Sequence, residues 1–194
     1  MKKLALLFVA LVATSCSSPS PRIDPIVLDY RNESPLVLKV DRLDIVNRAA
    51  TYPSRQVSLP FKPTVTDAVN QWARDRIQAD GSAGAHATLI IKDASASAQN
   101  LPIEGGIENW FTRQQSHKYL AKVEVDIEVR SADGRENSFA TAHATRTATL
   151  PEDPTDYERN KAYTDILTAM MHDFDQGMEI SMRQHLGSFL KSGY

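Results

Sequence analysis

Cysteine is nearly missing from this chain, and Cys16 is its one thiol. A single cysteine forms no internal bridge, so the fold must rest on a hydrophobic core rather than a disulfide framework. Long apolar runs are missing too. Leu4 to Val12 is the longest, and it falls short of the ~18–20 residues a spanning helix needs. Neither sign of charge dominates: 22 Lys and Arg stand against 24 Asp and Glu, for a formal net charge of −2. Basic residues occur only in scattered pairs such as Arg74/Arg76, without the stripe that marks a nucleic-acid binder. The motifs GxSxG, GxGxxG, HExxH, CxxC and the P-loop are all absent, which leaves no nucleophile elbow, phosphate cradle or zinc helix to argue from.

What is present is an ordinary folded composition, 42% hydrophobic and 24% charged over 194 residues, enough for one domain and its tails. The chain opens MKKLALLFVALVATSCSSPSP. Lys2 and Lys3 form a positive n-region and Leu4–Val12 a short apolar h-region, the pattern of a bacterial secretory signal over residues 1–15. Removing those residues, which carry two lysines and no acid, takes the formal charge from −2 to −4. The cut before Cys16 admits two readings. Ala13-Thr14-Ser15 supplies the small residues that ordinary signal peptidase accepts. The same stretch resembles a lipobox, with Thr14 and Ser15 as its small positions and Ala13 where that signature prefers leucine. Three features favour lipidation: the only cysteine stands at the first mature position, the h-region is short, and the Ser/Pro-rich Ser17–Pro21 follows at once. The lipobox resemblance implies a diacylglyceryl thioether on the Cys16 sulfur and an N-acyl chain on its amino group. Two or three chains make a durable anchor where one holds only marginally. Ser17, rather than aspartate, after the cysteine implies sorting to the inner leaflet of the outer membrane, facing the periplasm.

Residues 16–34 read as the lipidated cysteine and an extended tether, with Pro19, Pro21 and Pro25 among polar residues. Ile26, Val27, Leu28 and Tyr30 are its candidates for docking. Residues 35–194 read as a single α+β domain. Alternation over Leu36, Leu38, Val40, Leu43 and Ile45 predicts a first strand. Val65, Val69, Trp72, Ala73 and Ile77 predict a helix opening near Thr64 or Thr66 and stopping at Asp80-Gly81. A second strand is expected over His86 to Asp93. Val123, Val125, Ile127 and Val129 alternate with polar residues before Asp133-Gly134, a two-residue turn signal. Pairing outward from that turn sets Ile127, Val125 and Val123 opposite Ala140, Ala142 and Ala144, leaving room for a helix to approach closely. Thr155 and Glu158 form a capping box for a long last helix whose stripe runs through Tyr163, Ile166, Leu167, Met170, Phe174, Met178 and Met182. The expected architecture is a two-layer sandwich in the order β-α-β-β-β-α, with helices on one face of a mostly antiparallel sheet.

This topology, behind a lipobox and a short tether, resembles the small periplasmic lipoproteins of the YajG and LptE-like groups. The phrases WARDRIQADG, LIIKDASA, YLAKVEVDIEV and RQHLGSFL are similar to uncharacterised alphaproteobacterial lipoproteins. The resemblance covers nearly the whole mature chain and implies a role in outer-membrane maintenance as an accessory to lipid or lipopolysaccharide machinery. It names no site residue.

Residues that bear chemistry are sparse. His172, Asp173, Asp175 and Glu179 cluster near Gly177, a pattern that reads as a solvated helix face before it reads as a metal site. Glu124 and His143 fall opposite each other as a cross-strand polar pair. The connection from Ser95 to His117 is long, and it sets Ile107, Trp110 and Phe111 at i, i+3 and i+4 after a Gly105-Gly106 hinge. These three either cap the edge of the core or form a docking surface. The methionines of the last helix either fill the core or line a lipid groove. The expectation is a non-enzymatic, membrane-anchored lipoprotein that faces the periplasm and binds an envelope protein. The alternative is a lipid-binding or lipid-transport accessory. Neither needs a metal, a nucleic acid or any cofactor beyond the covalent lipid on Cys16.

Overall fold

The computed structural model describes residues 26–49, 57–101 and 115–191. It is an α+β fold of seven strands and two helices: β1 (Leu36–Leu38), β2 (Leu43–Asn47), β3 (Val57–Ser58), α1 (Val65–Arg76), β4 (Ile77–Ala79), β5 (Ala85–Asn100), β6 (Gln115–Ser131), β7 (Asn137–Pro151) and α2 (Asp156–His185). The main sheet runs β2-β5-β6-β7, with β3 sharing the outer edge of β5. All of its pairings are antiparallel except β2 with β5.

The hairpin of β6 and β7 has the register its alternation predicts. Ile127, Val125 and Val123 face Ala140, Ala142 and Ala144, while Glu124 faces His143. Its loop is longer than a two-residue turn. The Ser131 amide donates to the Glu136 carbonyl at 2.9 Å and the Gly134 amide to the Ser131 carbonyl at 3.0 Å. Gly134 takes a positive φ of 70°, which a residue without Cβ adopts freely. The two loops share a centre, so the register is the same.

Three expectations need correction. The single strand expected over 36–45 is two, because the Val40 amide turns back on the Leu38 carbonyl at 3.0 Å and the chain rounds a corner there. β1 then pairs in parallel with β4, while β2 joins the main sheet. The first helix stops at Arg76 rather than at Asp80-Gly81, because Ile77 leaves helical geometry to pair with Leu36 as the first residue of β4. The second strand runs on to Asn100, past a bulge between Ile91 and Asp93. An extra residue there reverses which parity faces the core. Ala87, Leu89 and Ile91 point inward before the bulge, and Ala94, Ala96 and Ala98 after it. The element order is therefore β-β-β-α-β-β-β-β-α rather than β-α-β-β-β-α.

Both helices start with capping boxes, Thr64 with Asp67 and Thr155 with Glu158. They pack on one face of the sheet, and α2 lies along β7. The alanine face of β7 lets α2 come near: a Cβ built on Gly177 would meet the Ala142 Cβ at 3.9 Å. That is ordinary van der Waals contact, so the glycine costs helix stability without being needed for clearance. Gly177→Ala should raise unfolding free energy by about 0.5–1 kcal/mol, measured by denaturant titration.

Candidate functional site

The most concentrated polar chemistry of the described residues lies inside the protein. Arg76 follows Val69 and Trp72 down the inner stripe of α1, and Asp175 sits among Met171, Phe174 and Met178 on the inner stripe of α2. The two meet across the helix interface. Arg76 Nε donates to Asp175 Oδ1 at 2.7 Å, and Trp72 Nε1 donates to the same oxygen at 2.7 Å. Arg76 Nη2 donates to Glu179 Oε2 at 2.7 Å, and Nη1 donates to the Ser34 carbonyl. The other Glu179 oxygen accepts from Arg183 Nε and Nη2 at 3.0 and 2.7 Å. Phe174 meets the Trp72 ring edge-on, with centroids 4.8 Å apart.

Burial works against the Arg76 charge, but the hydrogen bonds and charges of Asp175 and Glu179 outweigh it and hold the guanidinium above its ordinary value. Glu179 is held below its ordinary 4.5, chiefly by the Arg183 hydrogen bond and then, against burial, by Arg76. Burial and the charges of Asp175 and Asp75 push the nearby Tyr30 phenol upward. Among the described residues no buried side-chain nitrogen or oxygen lacks a partner. A buried network of this kind fixes the geometry of the two helices.

The acidic cluster near Gly177 thus departs from a solvated face. Asp175 is buried and, with Glu179, is engaged by Arg76. Asp173 pairs with Arg146 of β7, and His172 Nε2 lies 3.1 Å from Gln176 Nε2. Asp175 and Glu179 converge on Arg76 while Asp173 and His172 turn to other partners, and among the described residues no group of three His, Cys, Asp or Glu could hold a metal ion. On the outer face of the sheet Glu124 is taken up by Lys92 Nζ at 2.6 Å, and Asp126 accepts from Thr141 Oγ1 at 2.7 Å. The Glu124 hydrogen bond and the Asp126 charge hold that lysine above its usual value. His143 stands opposite Glu124 in register, while the glutamate's ion pair is with the lysine.

Two open grooves flank the helices. One, of about 360 Å³, lies between the start of β7 and the end of α2 and includes Phe139, which is 65% exposed. The other, of about 200 Å³, lies between residues 27–33 and α2. Cys16, Ile107, Trp110 and Phe111 lie outside the described residues. Sequence reasoning missed the Arg76 cluster, although its signal was present: each helix carries a charge in phase with its apolar stripe.

No family model matches the chain, and no curated protein matches it. Among solved structures it is similar to the rare lipoprotein B from Shewanella oneidensis, at 11% identity and a TM-score of 0.35, over 74% of this chain and 97% of that one. It is also similar to a DUF330 protein from Xanthomonas campestris, at 12% identity and a TM-score of 0.34, over 82% and 93% of the two chains.

Removing Arg76 would leave the buried Asp175 carboxylate without its cation, with the Trp72 indole N–H as its remaining donor. Arg76→Met should cost about 3–5 kcal/mol of unfolding free energy, whereas Arg183→Met, at the exposed side of the same glutamate, should cost under about 1 kcal/mol. Denaturant titration of the two variants checks the contrast. Glu179 adds a pH signature. Its folded value is depressed, so its contribution is complete above 4.5 and fades as pH falls through the lowered value. Glu179→Gln should therefore cost stability at neutral pH and progressively less below 4.5, read from urea melts across that range.

Proposed function

We propose that this chain is a lipid-anchored envelope protein whose domain binds a protein partner rather than turning over a substrate. The observation that carries the choice between binding modes is the packing under the helices. Met170, Met171, Met178 and Met182 are all buried in one continuous core with Phe174, Leu167 and the inner face of the sheet. The methionine stripe is therefore occupied as core. An acyl chain entering between helices and sheet would have to displace it, which weighs against the lipid-groove alternative. The two grooves beside the helices include polar and charged side chains, Ser181 and His185 in one and Asp29 and Glu33 in the other.

The anchor in this reading is the lipid on Cys16, and Ser17 after it points to the periplasmic leaflet of the outer membrane. Among the described residues no helix is long and apolar enough to cross a membrane; the attachment we assign is the covalent lipid on Cys16. Ile107, Trp110 and Phe111 are the side chains we assign to partner contact. Anchoring confines the domain to a thin layer and raises its effective concentration for a partner in the same layer.

Cys16→Ser should abolish acyl labelling and move the protein from the membrane to the soluble periplasmic fraction. Unchanged fractionation would sink the anchor. In the same cells, Trp110→Ala with Phe111→Ala should leave the melting transition in place and weaken in-cell crosslinking to the captured protein. Loss of the folded state in that double variant would assign both residues to the core instead.

A further inference from the structure

The segment leading from the leader into the domain is built into the helical layer. Leu28 and Tyr30 are buried, whereas Val27 between the leader and them is 74% exposed. Gln71 Nε2 of α1 donates to the Leu28 carbonyl, and Arg76 Nη1 donates to the Ser34 carbonyl. A turn closed by the Glu33 amide on the Tyr30 carbonyl, at 3.0 Å, links the two attachments. Beyond Pro35 the chain is held more firmly. β1 lies between β4 on one side and the last residues on the other, where the Lys39 amide donates to the Phe189 carbonyl and the Lys191 amide to the Val37 carbonyl. Residues 26–34 have no such strand pairing, and the groove of about 200 Å³ separates part of them from α2.

We propose that residues 26–34 are a strap that sets how far the domain stands from the bilayer. The inference rests on Cys16 being the lipid anchor. With the strap down, the leash is the ten Cα steps that separate Cys16 from Ile26, a contour of at most about 35 Å. With the strap lifted, the leash runs to Pro35, and its nineteen steps reach about 65 Å. Lifting exposes two apolar side chains and leaves the buried Arg76 without one of its acceptors, so the short leash is the resting state. The Arg76 cluster thereby joins the anchor to both helices.

The test uses the full lipidated protein in vesicles of phosphatidylethanolamine and phosphatidylglycerol that contain an acceptor-labelled lipid. The donor sits on Ala169→Cys, an exposed position of α2. Energy transfer should be strong for this protein. It should fall when a ten-residue Gly/Ser spacer is inserted between Pro25 and Ile26, and fall similarly in Leu28→Ser with Tyr30→Ser. Transfer that the spacer lowers but the strap variant leaves unchanged would overturn the strap, and so would transfer that neither change lowers. Protein that never stays with the vesicles overturns the anchor, and the height with it, and is told apart by flotation. If the strap variant loses its far-UV signal, hydrogen exchange on the wild type decides. A Glu33 amide slowed relative to the unfolded chain supports the strap, and exchange at the unprotected rate overturns it.

Discussion

One guanidinium joins three parts of this protein that are far apart in sequence. Arg76 closes α1, reaches Asp175 and Glu179 on α2, and holds the Ser34 carbonyl of the lead-in segment. Burying a cation is expensive, and the expense is recovered only if every donor finds an acceptor in good geometry. That requirement fixes the rotation of both helices about their axes, because Asp175 and Arg76 must face each other across an otherwise apolar interface. It also fixes where the lead-in lies, since a backbone carbonyl completes the set. Apolar packing alone would tolerate a sliding α2, whose methionines adapt readily to new neighbours. The ionic cluster removes that freedom.

The sheet supplies the matching constraint from below. Small residues on β7 bring α2 close at Ala142, while the β-branched row of β6 fills the space toward α1. These features were legible in the sequence because the β6–β7 alternation is regular and Asp133-Gly134 pins its centre. The Thr155/Glu158 capping box was legible for the same reason: a local hydrogen-bond pattern has a local spelling. The far half of β5 was not. The bulge at Lys92 shifts the alternation by one residue, and Ala94-Ser95-Ala96-Ser97-Ala98 lacks the bulky β-branched residues that usually betray a strand. β4 was hidden because its three residues follow a helix with no break, and only the nonlocal pairing with β1 makes them a strand.

The buried cluster was half legible. A helical stripe that contains Trp72, Ala73 and Arg76 shows a charge in phase with the core, and so does one that contains Met171, Phe174, Asp175 and Met178. Either charge alone reads as an imperfection of the stripe. Together they predict a pair, but only once the two stripes are known to face each other, and that fact belongs to the tertiary structure. The side chains expected to meet a partner, Ile107, Trp110 and Phe111, and Cys16, the proposed anchor, rest on the sequence.

The sheet edge bears on how a partner could dock. β7 forms one border of the main sheet and is 15 residues long, a length at which an open edge invites another strand. Here α2 guards it. The Thr141 amide, which points away from β6, donates to Ser181 Oγ of α2 at 3.0 Å, and Arg146 reaches over to Asp173. A strand adding to β7 would have to displace the hydroxyl and break the ion pair, and beyond Phe139 the threonines, histidine and arginine along that border offer little apolar area in return. Strand addition at this edge is thus disfavoured by the same helix that the buried arginine orients. In the proposed binding role, recognition at this edge falls to side chains rather than to strand addition.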